Sequence, residues 1–309
     1  MKNIVFAFDG QGAFRPGVGK ELCTKYPEAK DLVQQSSNIL SYDLMEHLWG
    51  EKAKETSSKT SIAQPAISTL SLAYAEVLKK LGVTPAVSLG HSLGELTAIV
   101  YCGVVSFADG IKIIQKRGEV MERGGKQGAM MAVINMDMKS LEEACENASQ
   151  ETAEPVVIAN INTPNQIVIS GSQQGITKIA QIAARNQARA IPLKVGGAWH
   201  SPYLKEAAEE FGNFLDTIQF CKPTSVFYSV VEQKPLDDAS SIKDALRRQM
   251  LSQVNWVTAI KNLQESGYRE FLEIGPSKIL SDLIKKISPG VRTESTALFT
   301  ELETLIQSL

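Results

Sequence analysis

A short apolar run that leads directly into the pattern Gly-x-Ser-x-Gly is the feature that most restricts how this chain can fold. Residues 86–89 read as a buried strand, GHSLG follows at 90–94, and a helix then continues to about Gly103. In this strand–turn–helix context the pattern predicts a nucleophile elbow, with Gly90 and Gly94 giving clearance for a sharp turn. Ser92 would project at a helix N-terminus, where free N–H groups favour developing negative charge. A tight turn without chemistry is the alternative.

Composition and charge narrow the class of protein. The 309 residues are 43% hydrophobic and 21% charged, which is typical of a globular protein with a substantial core. A net charge of −2 argues against nucleic acid or an anionic membrane surface as the main partner. Neither a signal peptide nor an apolar run of membrane-spanning length is apparent, so we expect a cytoplasmic protein. Scattered cysteines predict reduced thiols and no metal site: Cys23, Cys102, Cys145 and Cys221.

The N-terminal segment predicts a second loop close to a site. Residues 2–8 form a strand-like apolar run, and a glycine-rich loop follows over 9–20. The loop matches neither phosphate-binding pattern, because its Gly-Lys pair lacks a following Ser or Thr and its glycine spacing is interrupted. We interpret it as a loop whose backbone passes near a site, with Gln11 as its notable side chain.

Helical patterns cover most of the chain before the elbow, over 20–40 and 41–50 and then along an apolar helix that ends near Leu81. Pro65 suits the first turn of that last helix. Gln64 stands just before the proline and either caps the helix or lines a site.

A buried cation is predicted in the helix that follows the elbow helix. Ser106 is a credible N-cap for a helix from Phe107 to about Arg123. Arg117 falls on its apolar stripe, where its neighbours three and four positions away are Ile113, Ile114, Val120 and Met121. A guanidinium that faces a core needs acceptors. Either a distant acid or a substrate carboxylate supplies them.

Residues 129–195 show a different order of predicted elements, β-α-β-β-α-β, which is that of a ferredoxin-like domain. The predicted elements are 130–134, 139–148, 156–160, 166–170, 175–186 and 190–195. Glycine pairs at 124–125 and 196–197 are plausible hinges. We therefore expect a small domain at 128–196, inserted into a larger α/β domain made of 1–127 and 197–309, with a cleft between them.

An activated serine needs a base, which is usually histidine. His47 lies in a segment that looks solvated and is far from any motif. His91 belongs to the elbow, where its side chain should point away from Ser92, toward packing or a backbone contact. His200 follows a glycine pair and an aromatic residue at the mouth of the expected cleft, so by elimination it is the base. In a catalytic triad an acid would orient the histidine, but no acid between Ser92 and His200 lies in a recognisable motif. A Ser–His dyad, in which another acceptor orients the His200 ring, is therefore as well supported as a triad.

Motifs along nearly the whole chain resemble the malonyl-CoA:acyl carrier protein transacylases and the related acyltransferases of polyketide synthases. The matching motifs are Gly10-Gln11-Gly12, Gln64-Pro65-Ala66, GHSLGE at 90–95, KRGEVM at 116–121, Asn160 to Pro164 with Gln166 to Gly171, AWHS at 198–201, Gln249 to Trp256 and Glu273 to Pro276. Their number and order are highly specific. The resemblance implies an α/β-hydrolase-like large domain with a parallel sheet and an inserted ferredoxin-like small domain.

The resemblance also implies catalytic roles. Ser92 corresponds to the nucleophile and His200 to its base, which a backbone carbonyl orients, here that of Gln249. The backbone N–H groups of Gln11 and Leu93 correspond to the oxyanion hole.

Substrate-binding roles follow from the same resemblance. Arg117 corresponds to the clamp for the free carboxylate of malonate, and Gln64, Asn162 and Gln249 correspond to residues that line the site. Trp199 stands where malonyl-specific members commonly have phenylalanine. Its bulkier ring fits a malonyl group and argues against methylmalonyl-type groups.

The activity implied is ping-pong transfer of a malonyl group from malonyl-CoA, through an acyl-serine, to the phosphopantetheine thiol of an acyl carrier protein in fatty-acid or trans-acting polyketide synthesis. No cofactor would be bound permanently, and a monomer is expected. A hydrolase that clears carrier proteins is the alternative, although Arg117 makes little sense for simple acyl chains. A non-catalytic docking subunit is a third hypothesis, which intact Ser92 and His200 oppose.

Further departures from the family pattern concern the loops. Asp9 replaces the proline of Phe-Pro-Gly-Gln-Gly-Ser-Gln and puts a carboxylate near the oxyanion loop, and Gln253 stands where proline is usual. Together with Trp199 they suggest a divergent member, a freestanding acyltransferase of a polyketide assembly line rather than the housekeeping fatty-acid enzyme.

Overall fold

The computed structural model describes residues 3–56, 58–125, 128–298 and 301–308. The strands are β1 Ile4–Phe8, β2 Val87–Gly90, β3 Gly128–Ile134, β4 Val156–Thr163, β5 Gln166–Ser172, β6 Arg189–Pro192, β7 Phe227–Ser229, β8 Lys234–Leu236, β9 Val254–Asn255, β10 Glu270–Ile274 and β11 Arg292–Ser295. The α-helices are α1 Lys20–Lys25, α2 Pro27–Leu40, α3 Leu44–Trp49, α4 Ala53–Thr56, α5 Thr60–Lys80, α6 Leu93–Tyr101, α7 Phe107–Gly124, α8 Met138–Thr152, α9 Gln173–Arg185, α10 Lys205–Asp216, α11 Ala239–Gln249, α12 Trp256–Glu265, α13 Ile279–Ile287 and α14 Leu302–Ser308.

The larger sheet has the strand order β11-β10-β1-β2-β7-β8 and is parallel except for the β7–β8 pair. Every residue of β1 is buried, as expected for a parallel strand with helices on both faces. Phe6 and Phe8 pack into the core on one face, and Val5 and Ala7 pack into a second core on the other face. The predicted α/β fold with a parallel sheet is confirmed.

The elbow and the N-terminal loop meet at one edge of this sheet. Strands β1 and β2 are parallel neighbours, and Phe8 pairs with Gly90 at their carboxyl ends. The chain leaves both strands at the same level, which brings residues 9–12 beside Ser92. Loops at this edge are the usual ligand-binding position in open α/β sheets.

The smaller sheet has the strand order β6-β3-β5-β4-β9. Strands β3 to β6 pair in antiparallel fashion, in the ferredoxin-like arrangement that the sequence predicted, and α8 and α9 cover one face. Strand β9 adds a parallel fifth strand from the C-terminal part of the chain, which the sequence did not indicate. Residues 126–127, at the expected domain boundary, lie outside the described residues.

Two local predictions need correction: the position of Pro65 in its helix, and the helix predicted over 41–50, which is shorter. Helix α5 begins at Thr60, so Pro65 is its sixth residue rather than part of the first turn. A proline there removes one hydrogen bond, since only its own N–H is missing. Helix α3 starts at Leu44 because the Asp43 carboxylate caps the N–H groups of Met45 and Glu46.

The described residues contain no helix long and apolar enough to cross a membrane. In the same ranges, no group of three or more His, Cys, Asp or Glu side chains is arranged to hold a metal ion. The cysteines are free thiols, and only Cys221 among them is exposed.

Candidate active site

Ser92 occupies a strained turn between β2 and α6. Its φ is 51° and its ψ is −103°, a backbone conformation that costs a non-glycine residue about 1–3 kcal/mol. The two flanking glycines are required by close packing: a β-carbon on Gly90 would overlap the backbone of Gly94, and one on Gly94 would overlap the carbonyl of Phe8. Strain retained at the end of a central strand favours a functional serine over a plain turn.

The Ser92 hydroxyl lies in hydrogen-bond contact with His200. Ser92 Oγ is 2.8 Å from His200 Nε2. On the other side of the ring, Nδ1 lies 3.1 Å from the carbonyl oxygen of Gln249 and 3.0 Å from that of Ser252. Carbonyl oxygens only accept, so Nδ1 carries the proton and Nε2 is free to accept from the serine. Among the described residues, the acceptors beside Nδ1 are backbone carbonyls and not a carboxylate, so the geometry favours a dyad over a triad.

The environment of His200 keeps its ring neutral. Burial, then the Arg117 cation and His91, lower the pKa of His200 to about 3, while the two backbone hydrogen bonds oppose the shift. A neutral ring is the form that can accept a proton.

The other histidines have structural contacts. His91 Nε2 lies 2.9 Å from Asn162 Oδ1, and the ring packs edge-on against Trp256 at 5.5 Å. The predicted packing role is confirmed, and the ring also contacts the Asn162 side chain and the backbone of His91 itself. His47 is half-buried, with Nδ1 3.2 Å from Thr56 Oγ1, so the expectation of a solvated residue is wrong.

Arg117 is buried on the apolar stripe of α7, with 1% of its surface exposed. Its Nε donates to Gln249 Oε1 at 3.1 Å, its Nη1 to Gln64 Oε1 at 2.8 Å, and its Nη2 to Ser92 Oγ at 3.1 Å. All three acceptors are neutral. Burial lowers the pKa of Arg117 to about 10, with a nearby Glu95 opposing the shift, so the side chain remains a cation.

Gln64 is a buried hydrogen-bond partner of Arg117 and does not cap α5. It lies on the second turn, and its Oε1 accepts from Arg117 while its Nε2 lies 3.3 Å from Gln11 Oε1. Thr60 Oγ1 also donates to Gln11 Oε1, which fixes the Gln11 side chain against α5. A chain of amide contacts thus joins the N-terminal loop to the guanidinium.

Glu95 is a site residue that the sequence reasoning missed. It is buried, and its Oε1 accepts from Ser229 Oγ at 2.8 Å and from the N–H of Val230 at 2.9 Å. Its Oε2 accepts from Gln249 Nε2 at 2.8 Å, and the same nitrogen lies 2.9 Å from the carbonyl oxygen of Ser92. Burial raises the pKa of Glu95. An acid in the first turn of the otherwise apolar α6 was the available signal.

Two residues that begin helices, Gln11 and Leu93, lie beside Ser92. Gln11 begins a short 3-10 helix, Gln11–Ala13, and Leu93 begins α6. The N–H groups of first helical residues have no acceptor within their own helix, so both are available to an external oxygen. Gln11, Leu93 and Ser92 line the same pocket.

That pocket has a volume of about 200 Å³ and lies between the two sheets. The smaller-sheet segment and the loop after it provide an apolar wall: Met130, Val168, Leu193, Val195 and Trp199. Asn162 lines the same pocket, and so do Arg117 and His200. An apolar pocket with a serine–histidine pair, two free N–H groups and a buried cation is the site of a serine-dependent acyl-transfer enzyme.

The chain belongs to the acyl transferase domain family, whose model matches residues 5–296. It is 37% identical over 312 aligned residues to the malonyl CoA-acyl carrier protein transacylase of Bacillus subtilis, covering 100% of this chain and 98% of the relative. It is 34% identical to the protein of the same name from Escherichia coli K12, with 93% of each chain covered.

Solved structures agree over the full length. An acyl carrier protein S-malonyltransferase from Vibrio cholerae superposes with a TM-score of 0.93 at 31% identity, covering 98% of this chain and all of the other. A malonyl transacylase solved in complex with a type II polyketide synthase acyl carrier protein gives a TM-score of 0.95 at 30% identity, with both chains fully covered. These neighbours have the large α/β domain and small ferredoxin-like domain that the resemblance implied.

Proposed function

We propose that the protein transfers a malonyl group from malonyl-CoA to the phosphopantetheine thiol of an acyl carrier protein. The observation that carries this proposal is the buried Arg117 cation, whose Nη2 lies 3.1 Å from Ser92 Oγ and whose acceptors are all neutral. A free carboxylate on the acyl group would give Arg117 a directly bonded anion beside the nucleophile, since Glu95 reaches the guanidinium only through Gln249. Relatives along the full length carry the same activity in their names.

In the first half-reaction, Ser92 Oγ attacks the thioester carbon while His200 Nε2 takes the hydroxyl proton. The N–H groups of Gln11 and Leu93 receive the negative charge that develops on the carbonyl oxygen, each contributing about 3 kcal/mol. The carbon–sulfur bond then breaks, and the proton on His200 passes to the departing thiol. The product is a malonyl ester of Ser92 and free CoA.

In the second half-reaction, the phosphopantetheine thiol gives its proton to His200 and attacks the ester carbon. The ester bond breaks, Ser92 regains a proton, and the malonyl group leaves on the carrier. The malonyl carboxylate on Arg117 fills the acyl pocket and discourages attack by water. It also offsets the cation that lowers the pKa of His200, so the ring becomes a stronger base when substrate is bound.

The remaining site residues fit supporting roles. Gln249 and Gln64 hold the guanidinium of Arg117. Asn162 lines the pocket and contacts the His91 ring, and Trp199 limits the space beside the acyl group. We propose that segments 1–127 and 197–309 form one domain and 128–196 the other, and that the acyl group binds between them.

The test uses radiolabelled malonyl-CoA with carrier proteins of both fatty-acid and type II polyketide systems, and Ser92→Ala as the control. Label on the carrier, by way of labelled enzyme, supports the proposal. Release of free malonate at the same rate with and without carrier supports a hydrolase instead. Absence of labelled enzyme and of labelled carrier overturns both, and so does full activity of Ser92→Ala.

A further inference from the structure

A pair of buried acids lies directly behind the oxyanion loop and has no part in the chemistry described so far. Asp9 follows β1 and Glu273 belongs to the neighbouring strand β10, and they are 1% and 0% exposed. Ser277 lies between them, in the turn that leads to α13. Two carboxyl groups this close in a dry site cannot both be ionised at low cost.

The contacts of Ser277 require a proton on one of these acids. Its Oγ lies 2.9 Å from Asp9 Oδ1 and 2.7 Å from Glu273 Oε1. A serine hydroxyl has a single proton and can donate it to only one of the two oxygens. The other contact is a hydrogen bond only if that carboxyl group donates to the serine.

The backbone donors indicate which acid is protonated. Glu273 accepts from the N–H of Leu280 at 3.0 Å and from that of Ser281 at 2.7 Å, so both of its oxygens are already acceptors. Asp9 accepts one N–H, that of Ser277, at 3.1 Å on Oδ2. Glu273 is therefore better suited to carry the charge, and the proton belongs on Asp9 Oδ1. Burial, followed by the hydrogen bond and charge of Glu273, raises the pKa of Asp9 well above its usual range.

Among the described residues, the titratable groups that act on Asp9 or pack beside it do not include a cation. Helix α5 contributes Tyr74, β10 contributes Glu273, and the elbow contributes His91, which packs beside the next residue, Gly10. Burial lowers the pKa of His91, so its ring is neutral. Gly275, with a φ of 143°, makes room for the acid, because a β-carbon there would overlap Asp9 Oδ2.

We propose that Asp9 is a positioning residue: protonated at neutral pH, it donates to Ser277, which donates to Glu273, and this chain ties the Gly10–Gly12 loop to the turn before α13. The consequence for catalysis rests on the proposed function, since Gln11 of that loop supplies an oxyanion donor. Loss of the proton in alkaline solution leaves two anions around one hydroxyl, loosens the loop and weakens acyl transfer. The malonyl-CoA:acyl carrier protein transacylases usually have proline at position 9, which could not form this Asp9–Ser277–Glu273 hydrogen-bond chain.

A matched pair of isosteric variants tests the position of the proton without any activity measurement. In Asp9→Asn, the amide N–H replaces the carboxyl O–H toward Ser277, and its oxygen still accepts from the Ser277 N–H. In Glu273→Gln, an amide NH₂ instead faces the N–H of Leu280 or Ser281. We expect Asp9→Asn to fold normally and Glu273→Gln to lose stability. The reverse order would place the proton on Glu273 and overturn the proposal.

The pH dependence of the unfolding free energy tests whether the pKa of Asp9 is raised in the folded protein. A raised pKa in the folded state means that stability is complete below about pH 4 and is lost as the pH rises through the folded pKa. Relative to Asp9→Asn, the wild-type folding equilibrium constant should fall by up to about tenfold per pH unit within that window. Infrared difference spectra should show a protonated-carboxyl band that Asp9→Asn lacks. Parallel stability curves, or an unchanged band, contradict the proposal.

Kinetics then test the link to the oxyanion loop. The ratio of kcat at a pH above the fall in wild-type stability to kcat at a pH below that fall should be several-fold lower in the wild type than in Asp9→Asn, while KM for malonyl-CoA changes little. Equal ratios would limit the acid pair to stability and overturn the positioning role. If neither the wild type nor Asp9→Asn transfers malonyl groups, the proposed function fails. The unfolding and infrared measurements still show whether Asp9 carries the proton.

Discussion

Two buried ionisable side chains, Glu273 behind the oxyanion loop and Arg117 beside Ser92, are satisfied by the fold in opposite ways. Glu273 is enclosed by the N–H groups of Leu280 and Ser281 and by Ser277, so that each of its two carboxyl oxygens accepts from residues of the chain. Arg117 is equally buried, yet its partners are two neutral amides and the hydroxyl of Ser92.

The difference separates a structural charge from one that awaits a ligand. A buried group with several internal donors orders the fold around it, whereas a buried cation whose directly bonded partners are all neutral has an electrostatic deficit, which Glu95 behind Gln249 offsets only in part. At Arg117 that deficit lies against the nucleophile, so a carboxylate that removes it is held next to the reacting atom. A buried charged group whose partners all belong to the chain therefore indicates a structural, positioning role. A buried charged group that lacks a directly bonded countercharge indicates a binding site for a ligand of opposite charge.

The largest effect should come from removing the incomplete charge. Arg117→Ala should lower kcat/KM for malonyl-CoA by about 100-fold or more, because charge-assisted hydrogen bonds to the carboxylate are worth about 1.5–3 kcal/mol each. Acetyl-CoA has no carboxylate, and its transfer should fall far less. Steady-state kinetics with malonyl-CoA and acetyl-CoA measure this contrast. Arg117→Lys keeps the positive charge but loses the bidentate guanidinium, so its kcat/KM for malonyl-CoA should be intermediate. Equal losses for both substrates would remove the clamp from the mechanism.

A smaller loss should follow from disturbing the acid behind Gln249. Glu95→Gln turns an acceptor into an NH₂ group that faces Gln249 Nε2, so Gln249 reorients and releases Arg117. Loss of one such hydrogen bond corresponds to about 1–2 kcal/mol, or roughly tenfold in kcat/KM for malonyl-CoA. Glu142→Gln, on the exposed face of α8, is the matched control. Identical kinetics for the two variants would show that Glu95 does not act through Gln249.

The smallest effect concerns the pH profile. The Arg117 cation lowers the pKa of His200, and only the neutral ring accepts a proton, so Arg117→Gln should raise that pKa and move the acid limb of acetyl transfer to higher pH, by about one unit. The pH dependence of kcat/KM for acetyl-CoA reports the shift. Arg123→Gln, an exposed position on the same helix, should leave the limb in place. An acid limb that stays fixed in Arg117→Gln would mean that the guanidinium does not influence the base.

Local patterns were sufficient for much of the fold and for the central residues of the site. The glycines around Ser92 follow from the sterics of one turn, and the burial of Arg117 follows from a 3.6-residue period along one helix. The order of strands and helices in 129–195 is also local and was predicted correctly. The placement of Pro65 in the first turn of α5 was wrong, because proline is tolerated there one turn further into the helix than its preferred position.

The sequence by itself therefore determined the elbow, the buried cation, the histidine chosen by elimination and the inserted β-α-β-β-α-β unit. Only the tertiary structure decided how these groups are held. The acceptors for His200 are backbone carbonyls about fifty residues further along, which have no side-chain signature. Asp9 meets Ser277 across 268 residues because β1 lies beside β10. Contacts of this kind depend on strand order in the sheet, and a linear pattern does not specify it.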